Sequence, residues 1–136
     1  MSSNVEIVRK MYSDLAEGNF DAIFEALAPD VEWAEPELEY LPYPGLTKGR
    51  DNVAAEVFAK IPGVYEKIEF IPEVLIDGGA TVTVMGPATT KGPYGAAEHF
   101  RFAHVVRVEG GKVVRFDHFV DTHKIARTLS ARPDSA

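Results

Sequence analysis

The sequence predicts an α+β domain, and three observations lead there. Apolar residues recur at helical spacing from about residue 4 to 61, the period then changes to two, and Gly- or Pro-containing turns separate the alternating segments. The first helix spans 4–17, with Val5, Val8, Met11, Tyr12 and Leu15 on one face, and Gly18 stops it. A second helix, capped by Asn19 or Asp21, carries Phe20, Ile23, Phe24 and Leu27 and closes at Pro29. The segment AEPELEYLPYPGLTKG, with three prolines and two glycines, reads as a structured loop. Asp51 opens a third helix through Val53, Val57, Phe58 and Ile61, which Pro62 ends. Four strands follow: YEKIEFIPEVLI, ATVTVMGPATT, the segment from Glu98 and the segment from Lys112. Pro72 marks the first as an edge strand or the carrier of a bulge. Asp121-Thr122 caps a last short helix over 122–129, so one domain covers 1–130 and 131–136 is a flexible tail.

Composition narrows the function. A chain of 136 residues buries roughly two-thirds of its unfolded surface, enough for a core without staples. With no cysteine there is no disulfide framework, thiol nucleophile or thiolate metal site. That, and the lack of an apolar run in MSSNVEIVRK, sets the expectation of a cytoplasmic protein. No apolar stretch approaches the roughly 18 residues that span a membrane. A net charge of -7 without a Lys/Arg cluster argues against nucleic acid as partner. No His/Asp/Glu spacing matches a recognised metal site, and neither metal nor cofactor is expected.

The stretch AAEHFRFAHVVRVEGGKVVRFDHFVDTH raises the functional question. It reads as a hairpin whose apolar face, with Phe100, Phe102, Val106, Val108, Val114, Phe116 and Val120, also carries Glu98, His104 and His118. A two-residue Gly110-Gly111 turn pairs Glu109 with Lys112 and puts His104 opposite Asp117, which misaligns the apolar faces. A three-residue loop pairs Val108 with Lys112, puts His104 opposite Phe116 and aligns them. That second register makes His104 and His118 diagonal neighbours, about 7–8 Å apart at the backbone. Glu98, six residues away at about 3.3 Å each, lies roughly 20 Å from His104 along the strand.

VRKMYSDLAEGNFDAIFEALAPDVEWAEP resembles the N-terminal half of the NTF2-like superfamily, with most similarity to ketosteroid isomerase and the SnoaL-like polyketide cyclases. RVEGGKVVRFDHFVDTHKI resembles the last hairpin of the same proteins, and the likeness covers about residues 4 to 129. It implies a cone-shaped, cystatin-like fold: three N-terminal helices on a curved, four- to six-stranded, mainly antiparallel sheet. By this resemblance the isomerase's oxyanion-binding tyrosine falls on Tyr12, and its general base, an aspartate before proline, falls on Glu35 before Pro36. The third group, an acid, falls on Glu98 by the local phrase Glu98-His99-Phe100-Arg101-Phe102, or on His104 by distance from the hairpin turn. Depth along a strand follows that distance, which favours His104. Limonene-epoxide hydrolase, a further relative, uses an Asp-Arg-Asp set. Its last aspartate falls on His118, and the strand from Ala80 to Thr90 has no Arg-x-Asp, which disfavours that reaction.

The resemblance therefore implies an acid/base enzyme without a cofactor, working on a small apolar carbonyl compound. Glu35, Tyr12 and His104 are the expected catalytic groups. His118, Trp33, Phe102, Phe116, Val120 and Glu98 are the expected contacts to substrate, Glu98 at the rim. Tyr40 and Tyr43 either form the pocket lip or pack the loop. The alternative is a small-ligand-binding module of the same fold that catalyses nothing. His99, Arg101, Arg107 and Arg115 face the other side of the sheet, where members of the superfamily often dimerise, so a homodimer is expected.

Overall fold

Residues 3–38 and 41–130 are described here from a computed structural model of the chain. Tyr40, Glu39 and the expected tail 131–136 lie outside the described residues. Helices α1 (Ser3–Ala16) and α2 (Phe20–Ala26) lead into strand β1 (Leu27–Ala34). After the proline-rich loop come β2 (Leu46–Lys48), α3 (Arg50–Glu56), one 3₁₀ turn (Phe58–Lys60) and the single turn α4 (Ile61–Val64). Strands β3 (Lys67–Phe70), β4 (Val74–Gly78), β5 (Thr81–Lys91), β6 (Glu98–Glu109) and β7 (Lys112–Phe119) follow, and α5 (Thr122–Ser130) closes the chain. All seven strands form one sheet in the order β2-β1-β7-β6-β5-β3, with β4 also paired to β5.

Two boundaries differ from the sequence expectation. The second helix stops at Ala26, and Leu27–Ala34, expected as helix end and loop, is a strand parallel to β7. Pro29 fits inside it because the β1–β7 ladder breaks between Leu27 and Glu32, where a missing N–H costs no ladder bond. The third helix ends at Glu56, not Pro62; Pro62 instead opens α4, where its fixed φ and absent donor suit a first turn. Asn19 caps α2 through its side-chain oxygen, and Asp121 Oδ1 accepts from the Lys124 N–H at the start of α5.

The segment around Pro72 is one edge strand in two pieces, β3 and β4, both antiparallel to β5. Its bent backbone presses Ile71 O against Gly86, where any Cβ would lie 1.8 Å from that oxygen, so only glycine fits. The β6–β7 hairpin turns on two residues, not three: Glu109 pairs with Lys112, and Gly110 and Gly111 both take positive φ (58° and 78°). The faces still align, because Val114 bulges out between the Val108–Val113 and Arg107–Arg115 pairs. Val113 rather than Val114 therefore points inward, and is fully buried. His104 stands directly opposite His118, two residues from the expected Phe116.

The concave face of the sheet and the helices enclose one core, including Val8, Leu27, Val53, Val84, Val106 and Ile125. Among the described residues no helix is long and apolar enough to cross a membrane.

Candidate active site

A cavity lies inside that core, between α1 and the inner face of β6 and β7. Its free space, about 80 Å³, exceeds the roughly 10–15 Å³ that one water needs and falls short of the ~150 Å³ hole that accepts a benzene ring. The wall is almost wholly apolar and aromatic, and four of its side chains carry polar chemistry: Tyr12, Glu35, His104 and His118. Three separate elements and the β1 exit deliver them, which explains why no contiguous motif marks the site.

Tyr12 projects from the buried stripe of α1, and its hydroxyl lies 2.5 Å from Nδ1 of His104. His104 Nε2 is buried with no hydrogen-bond partner among the described residues. The two histidine rings stack across the strands at 4.6 Å between centroids, and Phe70 meets both edge-on. Burial holds His104 well below the ordinary imidazole pKa, and neighbouring His118 adds to the effect. His118 is lowered by burial as well, with the Glu35 carboxylate opposing. Burial raises the Tyr12 phenol far above its usual value. The whole trio is thus uncharged near neutral pH.

Glu35 sits just past β1, where its backbone N–H bonds to Gly45 O across the proline-rich loop. Its side chain turns inward and is only 9% exposed. One carboxylate oxygen accepts from the Trp33 indole N–H at 3.1 Å; the other lies 3.9 Å from His118 Nε2. Trp33 is itself fixed by a face-to-face stack on Phe116 (4.0 Å) and an edge contact with Phe58. A run of groups therefore connects Tyr12, His104, His118 and Glu35 along one apolar wall.

The other expected contacts divide. Trp33 and Phe116 line the cavity. Phe102 does not line the cavity; it packs behind three side chains that do, His104, Tyr12 and Phe70. Glu98 lies outside: at the far end of β6 it faces Arg127 of α5 at 3.5 Å, the consequence of its distance from the turn. Val120 follows the end of β7 and borders an outer cleft that shares Glu35 and His118 with the cavity. Tyr43 packs against the core, its hydroxyl buried and its pKa raised by burial and by Glu35. Phe70 and Ile68 were legible only as inward positions of an alternating strand. Phe20 and Phe58, in ring contact at 5.5 Å, line both the cavity and an apolar groove outside α2 and α3. Among the described residues no cluster of three or more His, Asp or Glu side chains is arranged to hold a metal.

The model of the SnoaL-like domain matches residues 8–116. This chain belongs to the SnoaL-like family, within the NTF2-like superfamily. An NTF2-like protein of unknown function from Burkholderia pseudomallei superposes with a TM-score of 0.90 at 29% identity, over 96% of this chain and 100% of that one. TerC, co-crystallised with polyporic acid, gives 0.87 at 24% identity over 96% and 100%. A protein from Jannaschia sp. CCS1 described as SnoaL-like gives 0.77 at 18% identity over 96% and 93%. No curated protein matches the chain. The α+β fold is that of these neighbours and of a protein with cystatin-like fold from Xanthomonas campestris, which gives 0.82 at 17% identity over 96% and 100%.

Proposed function

We propose that this SnoaL-like chain is a cofactor-independent acid/base enzyme for a small apolar carbonyl compound. The observation that carries the reading is the meeting of one nearly buried carboxylate and one unpartnered imidazole nitrogen in the same apolar cavity. Glu35 takes a proton from the carbon beside the carbonyl. The C–H electron pair becomes the new C=C bond, and negative charge collects on the carbonyl oxygen, where the Tyr12–His104 pair supplies the hydrogen bond. His118, beside Glu35, receives or returns the proton. Reprotonation at another carbon gives isomerisation, attack on a second carbonyl gives cyclisation, and loss of a β-hydroxyl gives dehydration. All three share the first step.

The resting cavity is smaller than a benzene-sized hole, so a five-membered ring or short chain enters as the Phe20–Phe58 pair parts and joins the cavity to the outer groove. TerC, with its polyporic acid, is a neighbour that accompanies a small molecule. The convex side of the sheet carries an apolar row, Val74, Met85, Ala103 and Phe119, across four strands. Its outer members, Val74 and Phe119, are 39% and 56% exposed, and we assign this row to a homodimer contact.

Deuterium exchange at the α-carbon of cyclopentanone in D₂O tests the chemistry. The wild type accelerates it, and Glu35→Gln lowers the rate by about 10²–10⁴-fold. Cyclopentanone that binds without exchanging would identify a ligand-binding module instead. That second reading draws on the hydrogen bonds Glu35 and His104 already make within the protein.

A further inference from the structure

Resting on that reading of the cavity, we propose that the Tyr12 hydroxyl does not hydrogen-bond the ligand but works through His104, whose Nε2–H alone presents a proton to the ligand's oxygen. A phenol has one proton to give. The only hydrogen-bond partner that the Tyr12 hydroxyl has among the described residues is Nδ1 of His104, so that proton has no other acceptor to go to. A neutral imidazole carries hydrogen on one nitrogen, so an Nδ1 that accepts leaves the hydrogen on Nε2. The ring is neutral because burial and the neighbouring His118 both disfavour its charge. Nε2 is buried in the cavity-lining ring with no partner of its own, the state of a donor awaiting an acceptor.

The two rings lie within 16° of parallel with centroids 5.8 Å apart, and Phe102 backs both. The phenol is thereby held against Nδ1 at 2.5 Å, and the imidazole cannot turn over without losing that bond. Tyr12 is thus a positioning residue that selects a tautomer. The consequence for specificity is that the site offers a ligand oxygen a single N–H, where two independent donors would be expected if the tyrosine also reached in. A ligand must bring an acceptor to His104 and its acidic hydrogen to Glu35.

Nitrogen NMR of the histidine-labelled wild-type protein reads the tautomer directly, with no substrate and no turnover. The expected spectrum has His104 protonated on Nε2 and hydrogen-bonded as an acceptor on Nδ1. A proton on Nδ1, or on both nitrogens at pH 7, would overturn the proposal. The variants sharpen it, with cyclopentanone as the bound probe, followed by the shift of its carbonyl stretch. Tyr12→Phe releases the lock, mixes the two tautomers and weakens the probe about five- to tenfold. In a His104→Gln background, whose amide N–H needs no phenol to orient it, Tyr12→Phe changes the affinity by less than twofold. Equal effects in the two backgrounds would mean that Tyr12 hydrogen-bonds the ligand itself. Loss of ketone exchange in Glu35→Gln, or its persistence, bears on the chemistry and leaves this result unmoved.

Discussion

The two faces of the β6–β7 hairpin are built from the same strands and treat charge in opposite ways. On the convex face Arg101 meets Glu73, Arg107 meets Glu109, and Arg115 meets Asp117 and Glu32, all at least partly in solvent. The concave face carries no arginine or lysine at all. Glu98 stands at its far end, against Arg127; around the cavity its ionisable groups are His104 and His118, stacked on each other and walled by Phe70, Phe102 and Phe116. A charge in water finds a counter-ion at little cost or benefit, whereas an ionisable group in an apolar wall stays neutral unless something nearby repays its desolvation. Imidazole, like the phenol of Tyr12, is neutral near pH 7 when buried in this way and still able to donate. The inner face therefore holds hydrogen-bonding capacity without charge.

The largest expected break of this contrast is at Trp33, which joins the two halves of the inner wall. It is 7% exposed, stacks on Phe116 and carries the indole N–H that holds Glu35. Trp33→Ala should cost about 3–5 kcal/mol in denaturant unfolding, by lost contacts and a hole next to the existing cavity. Trp33→Phe keeps most of the stack and removes the hydrogen bond to Glu35. Its stability loss should be well under half as large, while α-carbon exchange falls with it. Equal losses for the two variants would mean that the ring itself does not organise the wall.

Acid should separate the faces next. His104 has a folded pKa well below its ordinary 6.5, so the unfolded chain binds the proton first as pH falls. The neutral ring's contribution is complete above about pH 6.5 and is lost below it, at up to about 1.4 kcal/mol per pH unit for one histidine. His118 adds in the same direction, less so because Glu35 opposes the shift. Urea unfolding at pH 7.5 and 5.5 measures the slope. His104→Phe should flatten it, and a wild-type protein equally stable at both values would contradict the neutral pair.

Much of this inner face was legible in the sequence, for a simple reason. Period two along Phe100, Phe102, His104, Val106 and Val108 fixes a common face wherever one side of a strand is buried. What the pattern cannot carry is a bulge. Val114 shifts the register by one, so a two-residue glycine turn and aligned faces coexist, and His118 arrives opposite His104 instead of diagonal to it. β1 escaped because Pro29 and two acids interrupt its apolar pattern, and its parallel partner lies some 80 residues away in sequence. The local phrase around Glu98 points to the end of β6 far from the hairpin turn, where the side chain faces Arg127, whereas distance from the turn points to His104 in the cavity wall. Tyr12 and His104, 92 residues apart, could each be picked out by type and position. That the phenol and the imidazole come within hydrogen-bond reach of each other is a fact of tertiary distance.

The smallest expected effect lies on the outer face, and its smallness is the point. Arg101 and Glu73 are each more than half exposed at 3.1 Å, a geometry in which screening and side-chain entropy offset most of the attraction. Arg101→Ala should change stability by no more than about 1 kcal/mol, and less in 1 M salt. Arg115 is different in degree: a two-pronged contact to Asp117 and a third bond to Glu32 tie β7 to β1, and these partners raise its pKa. Arg115→Ala should therefore cost more than Arg101→Ala in the same assay, while both leave the low-pH slope of the histidines intact. If an outer arginine altered that slope, the two faces would be electrostatically coupled through the sheet, and the neutrality of the inner wall would no longer be a property of burial alone.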